Sequence, residues 1–114
     1  MPGRDHFRAL ARRRVGLAAT LLSHDAGWEQ PVRVMDLGLG GARLELGDGL
    51  GIGASVRLLI ATPDRWDPVA LDAHVVWSRE PDGARAGEAG LRFDHHTPSG
   101  VRALVDLLGS AAYE

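Results

Sequence analysis

The chain has 114 residues, of which 45% are hydrophobic, and its formal net charge is −2. That length suits one domain built around one core, and the small net charge gives no overall field that would attract a nucleic acid polymer or an anionic membrane. The absence of cysteine excludes disulfide bonds, thiol catalysis and sulfur-ligated zinc.

The N-terminal segment is polar and rich in arginine, and it does not resemble a signal peptide. Its apolar residues fall at helical spacing, which predicts a short helix over residues 5–13. On such a helix Arg4, Arg8 and Arg12 form one stripe of like charge, and an anionic partner would relieve their repulsion. The alternative is a solvated arm. No apolar run reaches the length of a membrane span, so we expect a cytoplasmic protein that does not insert into a membrane.

Six segments have the alternation and composition of β-strands. The segment 69–79 is long for one strand, so we expect a bend or a bulge midway along it, and we expect its Trp77 to face the core. Turns at short intervals join the segments and favour a closed or nearly closed antiparallel barrel. The predicted strands cover residues 15–22, 28–36, 42–46, 55–61, 69–79 and 88–94.

The last segment changes to a helical period. Pro98 suits the first position of a helix, and apolar residues then recur at i, i+3, i+4 and i+7. This pattern predicts an amphipathic helix from Pro98 to Gly109. Its apolar stripe needs an apolar partner, and the open end of the barrel provides one. The stripe consists of Val101, Leu104, Val105 and Leu108.

A glycine-rich turn runs from Asp36 to Gly41, between the second and third predicted strands. It carries one carboxylate and three glycines. Because glycine has no Cβ, the backbone amides of this turn can approach a ligand closely. The turn therefore suits an anion, although the same composition also occurs in turns that bind nothing.

Two short motifs point to one family. Arg8 and Arg12 have the spacing RxxxR, and Asp36 and Gly41 have the spacing of the two ends of DxSxxG. Together with the downstream strands and the closing helix, these motifs resemble the PilZ domain, the bacterial receptor module for cyclic di-GMP. The resemblance covers nearly the whole chain.

The sequence departs from the family pattern at two positions. Gly38 stands where the family has the serine of DxSxxG, so one hydroxyl is absent. Arg14 lies next to the first predicted strand, where many members have their second arginine, whereas Arg12 lies two residues earlier. The motif is therefore either Arg8 with Arg12 and two additional residues, or a degenerate version.

The resemblance implies a six-stranded antiparallel PilZ-like β-barrel capped by an α-helix. It divides the chain into an arginine-rich arm at residues 1–14 and a barrel with its helix at residues 15–114. The arginines would clamp the phosphates and guanines of cyclic di-GMP, Asp36 would accept hydrogen bonds from a guanine, and the glycines would let the backbone approach. The implied ligand-binding residues are Arg8, Arg12, Arg13, Arg14, Asp36, Gly38 and Gly41.

The function implied by the resemblance is a receptor that binds cyclic di-GMP and relays the signal to a protein partner. The alternative is an adaptor with the same barrel that has lost the ligand and binds proteins constitutively. Apart from that ligand, we expect no cofactor and no metal ion. No spacing of serine, histidine and aspartate matches a known catalytic motif, so we do not expect an enzyme.

Overall fold

The computed structural model describes residues 13–61, 66–94 and 98–111 of the chain. These residues form six β-strands followed by one α-helix. No helix among them is long and apolar enough to cross a membrane. The elements are β1 (Arg13–Ser23), β2 (Glu29–Leu37), β3 (Gly41–Leu46), β4 (Ser55–Ile60), β5 (Val69–Arg79), β6 (Gly87–Phe93) and α1 (Pro98–Ala111).

The six strands form a closed barrel. Their order around the barrel is β1-β2-β3-β6-β5-β4, and each neighbouring pair is antiparallel, including the β1–β4 pair that closes the ring. β3 pairs with β6 rather than with β4, which brings the segment after Asp36 next to the last strand. The predicted six-stranded antiparallel barrel is confirmed.

Alternation along the strands separates the core from the outer face, because successive side chains of a strand point to opposite sides. In β4, for example, Val56, Leu58 and Ile60 are buried while Ser55 and Arg57 are exposed. All of the buried side chains within the described part of the chain are apolar. The largest fully buried side chains of the strands are Leu21, Val34, Leu37, Leu44, Val56, Leu58, Ile60 and Val75.

Helix α1 completes this core. Leu104, Leu107 and Leu108 are buried in the same apolar cluster as the strand residues, whereas Val105 is 43% exposed. The helix contacts β5 and β1, which confirms the prediction of an amphipathic helix packed on the barrel. It ends at Ala111 rather than at the predicted Gly109.

β1 begins at Arg13, nearer to the N-terminus than predicted. Arg13 pairs with Leu37, and Arg14 pairs with Asp36. The prediction that a helix extends to Arg13 is therefore wrong, because pairing with β2 outweighs the local helical spacing. The rest of the predicted helix, residues 5–12, lies outside the described residues.

Trp77 does not face the core, contrary to the prediction. The register between β5 and β6 shifts between Val75 and Trp77, so Val76 is an extra residue on β5. Such a bulge reverses the alternation of the strand beyond it. Val75 is buried and Trp77 is 40% exposed. The predicted bulge in the middle of β5 is thus present, and it turns Trp77 to the outer face.

Candidate ligand-binding site

A row of residues crosses the outer face of the barrel beside the glycine-rich turn. Across β1, β2 and β3, Arg14 pairs with Asp36 and Asp36 with Arg43. Across β3, β6 and β5, Arg43 pairs with Gly90 and Gly90 with Trp77. Directly opposed residues of antiparallel strands share one face of the sheet. These five residues, the outer-face row, therefore follow one another around the outside of the closed barrel, with side chains of opposite charge on β1, β2 and β3 and an indole on β5.

Arg43 holds two carboxylates on this face. Its Nε donates to Oδ2 of Asp36 at 2.5 Å, and its Nη1 donates to Oε1 of Glu88 at 3.1 Å. Nη2 of Arg79 donates to the other oxygen of Glu88, Oε2, at 2.8 Å. The side chains of Asp36 and Glu88 are only 14% and 23% exposed. Because charge-assisted hydrogen bonds are short and directional, this network fixes Asp36 and Arg43 in place.

The same contacts shift the proton affinities of the network. Hydrogen bonds to Asp36, and secondly to Glu88, raise the pKa of Arg43. Hydrogen bonds from Arg43, and secondly from Arg79, lower the pKa of Glu88. Both shifts favour the charged forms of Arg43 and Glu88.

Replacing Arg43 by alanine should raise the pKa of Glu88 toward its ordinary value of 4.5. The folded-state pKa of Glu88 lies below the unfolded value, so its contribution to stability is present above about pH 4.5 and is lost as the pH falls through the folded-state pKa. The difference in unfolding free energy between wild type and Arg43→Ala should therefore shrink in acid. Carbon-detected NMR titration of the Glu88 carboxyl group measures the shift directly.

The control for this titration is Arg57→Ala. Arg57 Nε donates to Oδ1 of Asp72 at 2.9 Å and lowers the pKa of that carboxyl group. Removal of the Arg57 side chain should raise the pKa of Asp72 and leave the pKa of Glu88 unchanged. An unchanged Glu88 pKa in Arg43→Ala would contradict the network.

The glycines of the turn serve the fold itself. The N–H of Gly38 donates to the carbonyl of Gly41 at 2.9 Å, and the N–H of Phe93 donates to the carbonyl of Gly40 at 2.8 Å. A Cβ on Gly41 would lie 2.0 Å from the carbonyl oxygen of Leu91. β3 and β6 therefore approach too closely at this point for any side chain.

Asp36 belongs to β2 rather than to the turn. The pairing of Asp36 with Arg43 and of Leu37 with Ala42 continues the strand up to Leu37. The turn proper is thus shorter than predicted, and the carboxylate stands on the rigid outer face of the barrel. This position favours a site with fixed geometry, because strands hold side chains more firmly than loops do.

The indole of Trp77 lies over Gly90. A Cβ added to Gly90 would meet Nε1 of the indole at 2.0 Å and Cδ1 at 2.6 Å. The lack of a side chain on Gly90 therefore lets the ring rest against β6, next to the position of Arg43. A half-exposed aromatic ring on such a surface can stack with a nucleobase.

The sequence matches the family model of the PilZ domain over residues 3–110. The chain belongs to the PilZ family. No curated protein matches the sequence significantly.

Solved structures share the PilZ fold. The PilZ domain of YcgR from Escherichia coli, solved with c-di-GMP, is 18% identical with a TM-score of 0.69, and the match covers 90% of each chain. MrkH, described as a c-di-GMP-dependent transcription regulatory factor, is 15% identical with a TM-score of 0.71, over 90% of this chain and 50% of MrkH. The inhibitor of motility MotI of Bacillus subtilis is 19% identical with a TM-score of 0.65, over 88% of this chain and 48% of MotI. The PilZ chain thus spans about half the length of MrkH and MotI.

The PilZ barrel brings together part of the predicted site. Arg14 is exposed and lies directly opposite Asp36. Arg13 belongs to the same strand. Arg8 and Arg12 lie outside the described residues.

Three side chains of this PilZ surface were not predicted as site residues: Arg43, Glu88 and Trp77. The outward position of Arg43 was visible in the sequence, because it alternates with apolar residues that are buried on β3. Its partners were not visible, because contacts between strands depend on their register. That register shifts at bulges in this barrel, and no local pattern specifies where.

Proposed function

We propose that this PilZ domain is a cytoplasmic receptor that binds cyclic di-GMP and relays the signal to a protein partner, without catalysing a reaction. The observation that carries the proposal is a run of neighbouring positions along the outer-face row: Arg14 pairs with Asp36 across the strands, and Asp36 is hydrogen-bonded to Arg43. Arg43 in turn pairs with Gly90, over which the indole of the half-exposed Trp77 lies. The presence of c-di-GMP with the PilZ domain of YcgR and the c-di-GMP dependence of MrkH support the same ligand class.

Each part of the outer-face row suits one part of a guanine nucleotide. An arginine fork pairs in bidentate fashion with phosphate or with the O6 and N7 acceptors of guanine. A carboxylate accepts hydrogen bonds from the N–H groups of guanine. Among the described residues Asp36 has one hydrogen-bond partner, Arg43, which uses Oδ2, so Oδ1 can accept from a base. The indole of Trp77 offers a surface for stacking.

The N-terminal arm completes the proposed site. The arm predicted at residues 1–14, whose last two residues belong to β1, would change its arrangement around the ligand and so change the surface presented to the protein partner. Arg14 extends from this arm into β1 and meets Asp36 across the strands. The proposed ligand-binding residues are Arg8, Arg12, Arg13, Arg14, Asp36, Gly38 and Gly41, with Trp77 added from the geometry. Arg43 would position Asp36 for the ligand.

Titration calorimetry tests the proposal. Cyclic di-GMP should bind the purified protein in the micromolar range or more tightly. Cyclic di-AMP is the matched control ligand, because it has the same phosphodiester ring. Its adenine bases lack O6 and lack the guanine N–H groups from which Asp36 would accept hydrogen bonds. We expect it to bind much more weakly. No binding of cyclic di-GMP would instead favour the constitutive protein adaptor, a reading that the missing hydroxyl at Gly38 also supports.

Single alanine variants in the same titration assign the arginines. Arg8→Ala, Arg12→Ala and Arg14→Ala should each weaken binding by about tenfold or more, since a bidentate arginine contact contributes about 1–3 kcal/mol. Arg13→Ala should have a smaller effect, because Arg14 and not Arg13 pairs with Asp36 across the strands.

The control for the arginine series is Arg102→Ala, which removes an exposed arginine from α1 and should leave binding unchanged. Small and equally salt-sensitive losses at every position would indicate loose electrostatic attraction and contradict a formed clamp. A large loss of affinity in Arg14→Ala with none in Arg8→Ala would show that Arg8 and Arg12 are not the arginines of the motif and that Arg14 occupies the position of its second arginine.

Restoring the absent hydroxyl should tighten binding. Gly38 does not have a positive φ, so a serine can adopt its backbone conformation. A hydrogen bond to a charged ligand contributes about 1.5–3 kcal/mol, and Gly38→Ser should therefore lower the Kd for cyclic di-GMP by about tenfold. Gly38→Ala is the control, because it adds the Cβ without the hydroxyl. Equal affinities of the two variants would mean that the hydroxyl makes no contact with the ligand.

A further inference from the structure

Another guanidinium stands on the outer face near the outer-face row. Arg33 lies on β2 and is exposed, and its cross-strand partners are Ala18 of β1 and Glu45 of β3. Within the described part of the chain Arg33 forms no hydrogen bond or ion pair, although Glu45 opposite it is acidic. Arg33 thus differs from Arg43, which is paired with two carboxylates of the described residues.

The guanidinium of Arg33 lies over Gly16 of β1. A Cβ added to Gly16 would be 3.1 Å from Nη2 of Arg33 and 3.8 Å from its Cζ and Nε. Gly16 lies two residues before Ala18, which is the Cα partner of Arg33. It stands between Arg14 and Leu17, where the register between β1 and β2 shifts. The side chain of Arg33 thus leans across to β1, in the direction of Arg14.

We propose that Arg33 binds one phosphodiester of the cyclic dinucleotide. The missing side chain of Gly16 leaves room for the guanidinium of Arg33 beside β1. This inference rests on the proposed receptor function. A cyclic dinucleotide carries two phosphodiesters on opposite sides of one ring, so a receptor that neutralises both needs cations at two separate positions. Arg14 and Arg33 provide two such positions on one face, whereas the charge of Arg43 is already balanced by Asp36 and Glu88.

Calorimetric titration with cyclic di-GMP tests this assignment in the full chain. Arg33→Ala should raise the Kd by about tenfold, and its Kd should depend less on salt concentration than that of wild type, because one charge pair that salt screens is lost. Arg33→Lys should lie between wild type and alanine, since lysine keeps the charge but not the planar fork. Arg102→Ala, which removes the same charge from the exposed surface of α1, should bind as wild type does.

Gly16→Ala tests the position of the guanidinium. The added methyl group would lie 3.1 Å from Nη2 of Arg33, so it should shift the guanidinium slightly and raise the Kd by at most a few-fold in the wild-type background. In the Arg33→Ala background the same substitution should have no further effect, because the group that it displaces is absent. Thermal unfolding of each variant verifies that the barrel is intact.

The outcomes separate this inference from the proposed function. If wild type binds and Arg33→Ala binds within about twofold of it, the role of Arg33 is refuted and the receptor function stands. If wild type does not bind cyclic di-GMP, both fail. Equal losses of affinity in Arg33→Ala and Arg102→Ala would show that any surface arginine attracts the ligand to the same extent, and they would also overturn the assignment.

Discussion

Leu104→Ala should lower the free energy of unfolding by about 2–5 kcal/mol. Leu104 is fully buried on α1, in the same cluster as Leu107 and Leu108. Truncation to alanine removes apolar contacts and leaves a cavity that the closed barrel can fill only in part, because its strands are held by their neighbours on both sides. Urea denaturation followed by far-UV circular dichroism measures the loss.

Val105→Ala is the matched control for Leu104, since it truncates the next residue of the same helix. Val105 is 43% exposed, so its loss should cost well under about 1 kcal/mol. A loss below about half a kcal/mol for Leu104→Ala would show that α1 does not stabilise the barrel in solution.

Gly41→Ala should destabilise the barrel by about 3 kcal/mol. The added Cβ would lie 2.0 Å from the carbonyl oxygen of Leu91, which belongs to the backbone and cannot rotate away. β3 and β6 must separate locally, which strains their pairing and the hydrogen bond from the N–H of Phe93 to the carbonyl of Gly40. Urea denaturation measures the loss, and amide hydrogen exchange at Phe93 reports the local opening.

Gly40→Ala provides the control for Gly41. No atom lies within 4 Å of a Cβ built on Gly40, and its φ is not positive. The substitution should therefore change the unfolding free energy by no more than about 0.5 kcal/mol. If the two variants were equally stable and Phe93 kept its protection, the close approach of β3 and β6 would not hold in solution.

The strands and the helix could be predicted from the sequence because each has a local period. Alternation along β3 and β4 determines which residues are buried, and the change to a helical period at Pro98 marks α1. The PilZ fold was recognisable because the two short motifs stand in the family's order relative to these periodic segments.

The candidate site could be predicted only in part. Asp36 was named from the DxSxxG spacing and Arg14 from its place beside the first predicted strand. The contact between Asp36 and Arg43 depends on a register shift in β2 that has no local signal. Trp77 was predicted to face the core, and the single extra residue Val76 turns it to the outer face instead. Register and bulges result from packing among strands that are distant in sequence, so they become visible only in the folded chain.

The closure of the barrel determines how a protein partner can be recognised. Each of the six strands is paired on both sides, because β4 returns to β1. A strand with a free edge can add a strand from a partner through backbone hydrogen bonds, which depend little on sequence. This barrel offers no such edge among its described strands. A protein partner would therefore contact side chains on the outer face or at the ends of the barrel. A ligand bound on the outer face would form part of the surface that the partner contacts.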